Sequence, residues 1–170
     1  MEETVPKIRL RSLVDQSVVE ISRKSTEKSE LLKGLLNDYP DSPELGVKMV
    51  NGKALEKIKE YFEHYENEEP KEVERPFKSK DLKECLSEFD YKFVSSLENN
   101  DELKNLILAA NFMNIKSLIN LLSATIAHKI KGLNTSDVRN TFGIKELNQE
   151  EQKFFDEDIK YIEEKGFKDL

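Results

Sequence analysis

The sequence predicts an α+β fold in which short strands come first and helices follow. Polar and apolar residues alternate from Lys7 to Ser12, which is typical of a half-buried strand. Apolar residues at helical spacing dominate later, most clearly from Leu103 to Ile130. Because the two patterns are segregated along the chain, a mixed α+β fold is favoured over regular alternation of strands and helices.

The predicted strands all lie within the first fifty residues. After the strand at Lys7–Ser12, Val19 and Ile21 flank a charged residue and predict a second strand. The five residues between the two strands, 13–17, form the predicted hairpin connection, although they lack a strong turn signal. Val47 and Met49 predict a short third strand.

Helical periodicity accounts for most of the remaining chain. The first helix carries four leucines and has Ser25 and Thr26 as candidate caps before it. Glycine in a C′ position ends a helix, and Gly132 has that place after the longest apolar pattern. The predicted helices are one containing Leu31, Leu32, Leu35 and Leu36, one from Asn51 to Tyr65, one from about Leu82 to Leu97, one capped by Asn100 and reaching Ala110, and one from Ile115 to Ile130.

A charged segment, residues 66–81, separates the two halves of the chain. Ten of its sixteen residues are charged, two are proline, and no apolar period runs through it. Such composition predicts a solvated, flexible acidic loop.

The C-terminal segment, residues 133–170, predicts two short helices, at 135–142 and 149–164. Asn134 and Asn148 each begin a pattern that resembles a capping box. Phe155, Ile159 and Ile162 share one face of the second helix. Because isolated helices this short are marginal in water, the segment either packs on its own domain or folds against a partner. The sequence leaves both alternatives open.

Composition excludes several classes of protein. The 170 residues include 27 basic and 34 acidic side chains, a net charge of −7, and 37% of them are hydrophobic. An acidic chain is a poor general binder of nucleic acid, and no apolar run is long enough to cross a membrane. The acidic N-terminus does not predict a secretory signal. A single cysteine, Cys85, cannot form an internal disulfide, so we expect a reducing compartment.

Motifs for catalysis are absent from the sequence. It contains no glycine-rich phosphate loop and no nucleophile or metal motif of known spacing. His64 and His128 are isolated, and Cys85 has no local base. We therefore expect no catalytic residues, no metal and no cofactor, and we favour an interaction protein over an enzyme.

Three motifs together carry a family resemblance. They are Leu-Ile-Leu-Ala-Ala-Asn-Phe-Met-Asn-Ile-Lys-Ser-Leu-Ile at 106–119, Ile-Lys-Gly at 130–132 and Val-Arg-Asn-Thr-Phe-Gly-Ile at 138–144. The chain resembles the Skp-type F-box adaptors, the S-phase kinase-associated protein family. This resemblance implies a BTB/POZ domain at 6–132 and a two-helix extension at 133–170 that binds the F-box.

The resemblance also implies which residues meet partners. Asn111 and Phe112 match positions that the family uses to bind a cullin, with Phe where Tyr is common. Tyr161 falls where the family usually has Trp. The residues that match F-box-binding positions are Leu118, Leu121, Leu122, Ile126, Val138, Phe142, Ile144, Ile159 and Tyr161.

By this resemblance, the protein joins a cullin to F-box proteins in an SCF-type ubiquitin ligase and performs no chemistry itself. We expect it in the cytoplasm and nucleus, with neither a nucleic acid nor a membrane as partner. The sequence leaves open whether the free chain forms a homodimer. The alternative is a BTB-type interaction module of a complex outside ubiquitin ligases, for example in a kinetochore or vesicle-recycling complex, or one that self-associates.

Overall fold

The computed structural model describes residues 6–73, 79, 81–145 and 148–165. The chain divides into two compact units, Met1–Lys131 and Gly132–Leu170. The described elements of the first unit are β1 (Lys7–Ser12), β2 (Val18–Ser22), a 3-10 helix (Lys24–Lys28), α1 (Glu30–Asp38), β3 (Glu44–Val47), α2 (Gly52–His64), α3 (Leu82–Cys85), α4 (Glu88–Ser95), α5 (Asn100–Phe112) and α6 (Lys116–Ile130). Those of the second unit are α7 (Thr135–Phe142) and α8 (Gln149–Lys165). The predicted α+β class is confirmed.

The three strands form one sheet in the order β2-β1-β3. β1 and β2 are antiparallel, with Leu10 opposite Val19, as the predicted hairpin requires. β1 and β3 are parallel, because the 3-10 helix and α1 carry the chain back between them. The predicted third strand is correct for Val47 and wrong for Met49. Met49 has a φ of +60°, a left-handed conformation that cannot continue a strand.

The tip of the β1–β2 hairpin is fixed to the start of α2. The Gly52 N–H donates to Asp15 Oδ2 at 2.8 Å, and the Ser17 N–H donates to Asp15 Oδ1 at 3.1 Å. These backbone hydrogen bonds hold the pKa of Asp15 well below its usual range. Ser12 Oγ, at the end of β1 beside this tip, donates to the Val50 carbonyl at 2.7 Å. The hairpin and α2 therefore position each other.

Side-chain caps define where the helices begin. Ser29 Oγ accepts the Leu32 N–H at the start of α1, so the cap is not Ser25 or Thr26, which lie inside the 3-10 helix. The cap of α5 is Asn99, one residue before the predicted Asn100. Gly132 follows α6 with a φ of +83°, as its predicted C′ position requires.

The region around Leu82 is two helices where the sequence predicted one. Ser87 interrupts the pattern, because its Oγ accepts the Asp90 N–H at 3.0 Å and thereby starts α4. Before α3, Glu68 and Glu69 of the charged segment contact the 3-10 helix. Lys28 Nζ lies 3.6 Å from Glu69 Oε1 and donates to the Glu68 carbonyl at 3.2 Å.

The core of the first unit lies between the sheet and the long helices. α2 packs against β2 and α5, and α5 packs against α6. The largest fully buried side chains include Tyr61, Phe62 and Phe93. Leu103 of α5 also belongs to this core and is 1% exposed. Among the described residues, the buried apolar side chains end at Ala124, before the second unit begins.

Candidate functional site

The turn between α5 and α6 carries the two residues matched to cullin binding. Asn114 has a φ of +50°, and its N–H donates to the Asn111 carbonyl at 3.1 Å. The Met113 carbonyl accepts a hydrogen bond from Ser29 Oγ at 2.6 Å, which fixes the turn to the start of α1. Asn111 is exposed at this corner, while Phe112 is half-buried and packs against the core. The corner is therefore rigid and presents one polar and one aromatic side chain.

Leu108 extends this corner, and the sequence analysis missed it. Its side chain is 55% exposed, one turn before Phe112 on α5. Residues three and four apart share a helix face, so Leu108, Asn111 and Phe112 form one continuous surface. Helical spacing could have identified it, because Leu108 does not lie on the face of α5 that carries the buried Leu103 and Leu106. We call these three residues the α5 corner.

The F-box-matched residues of α6 divide between the core and its edge. Leu118 and Leu122 have no exposed surface, and Leu121 is 2% exposed. Ile126, one turn later, is half-buried. The three leucines stabilise the first unit in this conformation, because their side chains complete its core. Their assignment as F-box contacts stays a prediction.

In the second unit, the end of α7 organises the matched residues Val138, Phe142 and Ile144. The Ile144 N–H donates to the Arg139 carbonyl at 2.9 Å, while Gly143 adopts a φ of +61°. This is a Schellman cap, which commonly packs the residue after the glycine against the last turns of the helix. Val138 and Phe142 are half-buried, and Ile144 is 54% exposed.

α8 begins at a complete capping box. Asn148 Oδ1 accepts the Glu151 N–H at 2.9 Å, and Glu151 Oε2 accepts the Asn148 N–H at 2.9 Å. Ile159 and Tyr161, the matched residues of this helix, are 40% and 47% exposed. Two residues along a helix turn the side chain by about 200°, so these two lie on nearly opposite sides of α8.

A buried carboxylate lies between α2 and α4, away from the matched residues. Asp90 is 4% exposed, and it accepts hydrogen bonds from the Tyr65 hydroxyl at 2.9 Å and from Ser87 Oγ at 2.8 Å. Burial raises the pKa of Tyr65 to about 12. His64 stacks on Phe89 with ring centroids 3.5 Å apart. The two hydroxyl donors satisfy both oxygens of the buried Asp90 side chain, so the arrangement is structural.

Metal and membrane sites were also sought among the described residues. Within 6–73, 79, 81–145 and 148–165, no group of three or more His, Cys, Asp or Glu side chains is placed to hold a metal ion. Over the same ranges, no helix has both the length and the apolar character needed to span a membrane. Cys85 is half-buried, and its Sγ lies 3.8 Å from the Ser79 carbonyl.

Comparison with known proteins identifies similar chains. A sequence model described as "Skp1 family, dimerisation domain" matches residues 116–160. The chain is 33% identical over 165 residues to the S-phase kinase-associated protein 1 homolog of Tetrahymena thermophila, covering 96% of this chain and 98% of that protein. It is 34% identical over 127 residues to the E3 ubiquitin ligase complex SCF subunit sconC of Arthroderma benhamiae, covering 74% and 76%. The subunit of the same name in Talaromyces stipitatus is 33% identical over 131 residues, covering 76% and 80%.

Proposed function

Because the chain belongs to the Skp1 family, we propose that it is an adaptor of an SCF-type E3 ubiquitin ligase, bridging a cullin to F-box substrate receptors. The observation that carries this proposal is the similarity to an S-phase kinase-associated protein 1 homolog over 96% of the chain, which includes both compact units. The role is recognition alone, so the protein needs no chemistry of its own. It would act in the cytoplasm and the nucleus.

The α5 corner is the proposed cullin-binding surface. Its two hydrogen-bonded connections, within the turn and to Ser29, hold the exposed Asn111 and Leu108 in one arrangement. A preformed surface binds without an added ordering cost. The aromatic ring of Phe112 beside the exposed Leu108 also offers apolar surface, and aromatic residues are enriched in protein interfaces.

The second unit is the proposed F-box-binding surface. Its exposed apolar side chains include Ile144, Phe155 and Ile159, which are 54%, 48% and 40% exposed, and short helices gain stability by burying such side chains. An F-box segment that lays apolar side chains along α7 and α8 would use the helix-in-groove mode. Ile126 at the edge of α6 is included in this proposal, as the family match implies.

Reconstitution with two fragments tests the proposal. The full chain is mixed with the N-terminal region of a cullin and with an F-box domain, and each complex is detected by size-exclusion chromatography. We expect the pair Asn111→Ala and Phe112→Lys to lose cullin and keep the F-box domain. Because Phe112 is half-buried, Leu108→Lys provides a second variant that leaves the core intact.

The matched control is Glu56→Lys, a charge change at an exposed position of α2 outside the α5 corner. It should leave both complexes unchanged. Retained F-box binding without any cullin binding would favour the alternative module outside ubiquitin ligases. Failure to bind any F-box domain would contradict the adaptor role itself.

Self-association of the free chain is a further part of the proposal. Apolar residues that await an F-box partner would be covered by a second copy in its absence. Light scattering should then detect a dimer that dissociates when the F-box domain is added. A monomer at all concentrations would contradict this part and leave the adaptor role standing.

A further inference from the structure

Asp158 lies in the middle of an apolar surface of α8. Residues three and four positions away are its neighbours on the helix, and these are Phe154, Phe155, Tyr161 and Ile162. The exposed fractions of the first three are 69%, 48% and 47%, and Ile162 is half-buried. A carboxylate thus interrupts what would otherwise be a continuous apolar face. We call Asp158 and these four neighbours the Asp158 surface.

The two lysines of α8 that are nearest to Asp158 in the sequence lie on the other side of the helix. Lys153 and Lys160 project from the opposite side, where Lys153 Nζ lies 3.9 Å from Glu157 Oε1. Among the side chains that the structure describes, none forms an ion pair with Asp158. Glu151 and Lys165, seven positions before and after Asp158, fall on the same line of the helix but lie about 10 Å away along its axis, so neither neighbours Asp158. The Asp158 surface is therefore apolar and acidic, with no positive charge of its own among these side chains.

This composition restricts what can cover the surface. A wholly apolar partner would remove Asp158 from water without a compensating charge, which is strongly unfavourable. A partner that carries a guanidinium or ammonium group among apolar residues would satisfy the carboxylate and bury its neighbours together. Charge complementarity therefore selects the second kind of partner.

We propose that the F-box segment that covers α8 presents an arginine or lysine, set among apolar residues, which pairs with Asp158. This inference rests on the proposed function, because it takes an F-box protein as the occupant of α8. It adds a chemical requirement, since F-box proteins without a cation at this point would bind more weakly. Asp158 is then a specificity-determining residue that sorts one F-box partner from another.

The first test uses two synthetic amphipathic peptides in place of an unidentified F-box protein. Each has a leucine-rich helical face, and they differ only in the residue at the centre of that face, Arg or Gln. We expect the full chain to bind the Arg peptide about tenfold more tightly, the size of a charge-assisted hydrogen bond. Equal affinity, or no binding of either peptide, would overturn the inference.

Variants of the chain assign the preference to Asp158. Asp158→Asn should abolish the preference for Arg, and Asp158→Leu should reverse it in favour of the Gln peptide. Glu157→Gln is the matched control, because it makes the same charge change one residue away, on the side that faces Lys153. A preference for Arg that survives Asp158→Asn would place its origin elsewhere and reject the proposal.

The F-box complex gives the second test. An F-box domain that binds in the reconstitution above is used, and each of its Lys and Arg residues is replaced in turn by Gln. The affinity of each F-box variant is measured for the wild-type chain and for Asp158→Asn. For one Lys or Arg, the loss of affinity on its replacement and the loss on Asp158→Asn should not add when the two variants are combined. The same replacement combined with Glu157→Gln should be additive. If no F-box domain binds while the Arg peptide preference holds, the proposed function fails and the chemistry of the Asp158 surface stands. If an F-box domain binds and the effect of every Lys or Arg replacement adds to that of Asp158→Asn, only the present inference fails.

Discussion

The junction of Asp15 and Gly52 shows how single residues hold the first unit together. A Cβ at Gly52 would lie 2.3 Å from Ser17 Oγ and 2.6 Å from Ser17 Cβ, closer than atoms can approach. The Asp15 carboxylate accepts hydrogen bonds from the backbone N–H groups of Gly52 and Ser17 and so holds the two segments together. The Ser17 side chain then occupies the space that a side chain at Gly52 would need. The requirement for glycine here is one of close approach.

Gly52→Ala should therefore destabilise the protein. Adding the methyl group forces the hairpin and α2 apart, at a cost of roughly 1–3 kcal/mol. Urea denaturation would measure the loss. Gly34→Ala is the matched control, because Gly34 lies within α1 with nothing within 4 Å of its Cβ position, and it should stabilise α1 by about 0.5–1 kcal/mol. Equal stability of the two variants would contradict the close-approach argument.

The charge of Asp15 makes part of the stability depend on pH. Its pKa in the folded chain is lowered by the backbone N–H groups of Gly52 and Ser17, so folding favours the ionised form. The stabilisation is present above the unfolded pKa of about 3.9 and is lost as pH falls towards the folded pKa.

Asp15→Asn should thus lower the urea midpoint at neutral pH, and its difference from wild type should shrink steadily below about pH 4. Asp41→Asn, a change at an exposed position in the loop before β3, serves as the comparison, and the trend should be larger for Asp15→Asn. A difference that is constant from pH 7 to pH 2 would rule out ionisation of Asp15 as the source.

At the scale of elements, local chemistry explains which helix boundaries the sequence predicted. Asn134 and Asn148 cap α7 and α8 as expected, because each stands alone before its helix with an acidic residue three positions later. The cap of α5 was misplaced because Asn99 and Asn100 both suit the position. Ser29 was missed because Ser25 and Thr26 are equally suitable capping residues in the sequence. The structure excludes these two because they lie inside the 3-10 helix.

The capping box predicts how stable the start of α8 is. Asn148→Ala removes the side-chain oxygen that accepts the Glu151 N–H and should cost about 1 kcal/mol, lowering amide protection in the first turns about fivefold. Hydrogen exchange followed by mass spectrometry would report it. Gln149→Ala, the next residue, lies outside the capping box and should leave protection unchanged. Unaltered hydrogen exchange in Asn148→Ala would mean that the capping box does not determine how readily the first turns of α8 open.

An F-box domain should change the same measurement in the other direction. If α7 and α8 gain order from the partner, exchange over residues 135–163 should slow when the F-box domain is bound. Slowing limited to α6 would instead support a second unit already stabilised within the chain. The two alternatives left open by the sequence are thus separated by one experiment.

At the scale of the whole molecule, periodicity predicts helices but not what covers them. Leu118 and Leu122 match F-box positions, yet they are fully buried in the first unit, and a helical spacing looks the same for both roles. Exposure distinguishes them, because Ile144 and Ile159 keep 54% and 40% of their surface. Leu108 is the converse case, an apolar residue that the sequence did not separate from the core and that the structure exposes.

This distribution predicts that the first unit folds alone. Among the described residues, every buried apolar side chain lies at or before Ala124, so a chain ending at Lys131 keeps the whole set. Residues 1–131 should therefore unfold cooperatively on heating and bind the cullin fragment through the α5 corner. The same fragment should lose the F-box domain, because α7 and α8 are gone. Circular dichroism and the chromatography described above would measure both properties, with the full chain as reference. A fragment that melts without cooperativity would show that the second unit is needed to complete the core, and a cooperative fragment that still bound the F-box domain would move the F-box surface onto α6.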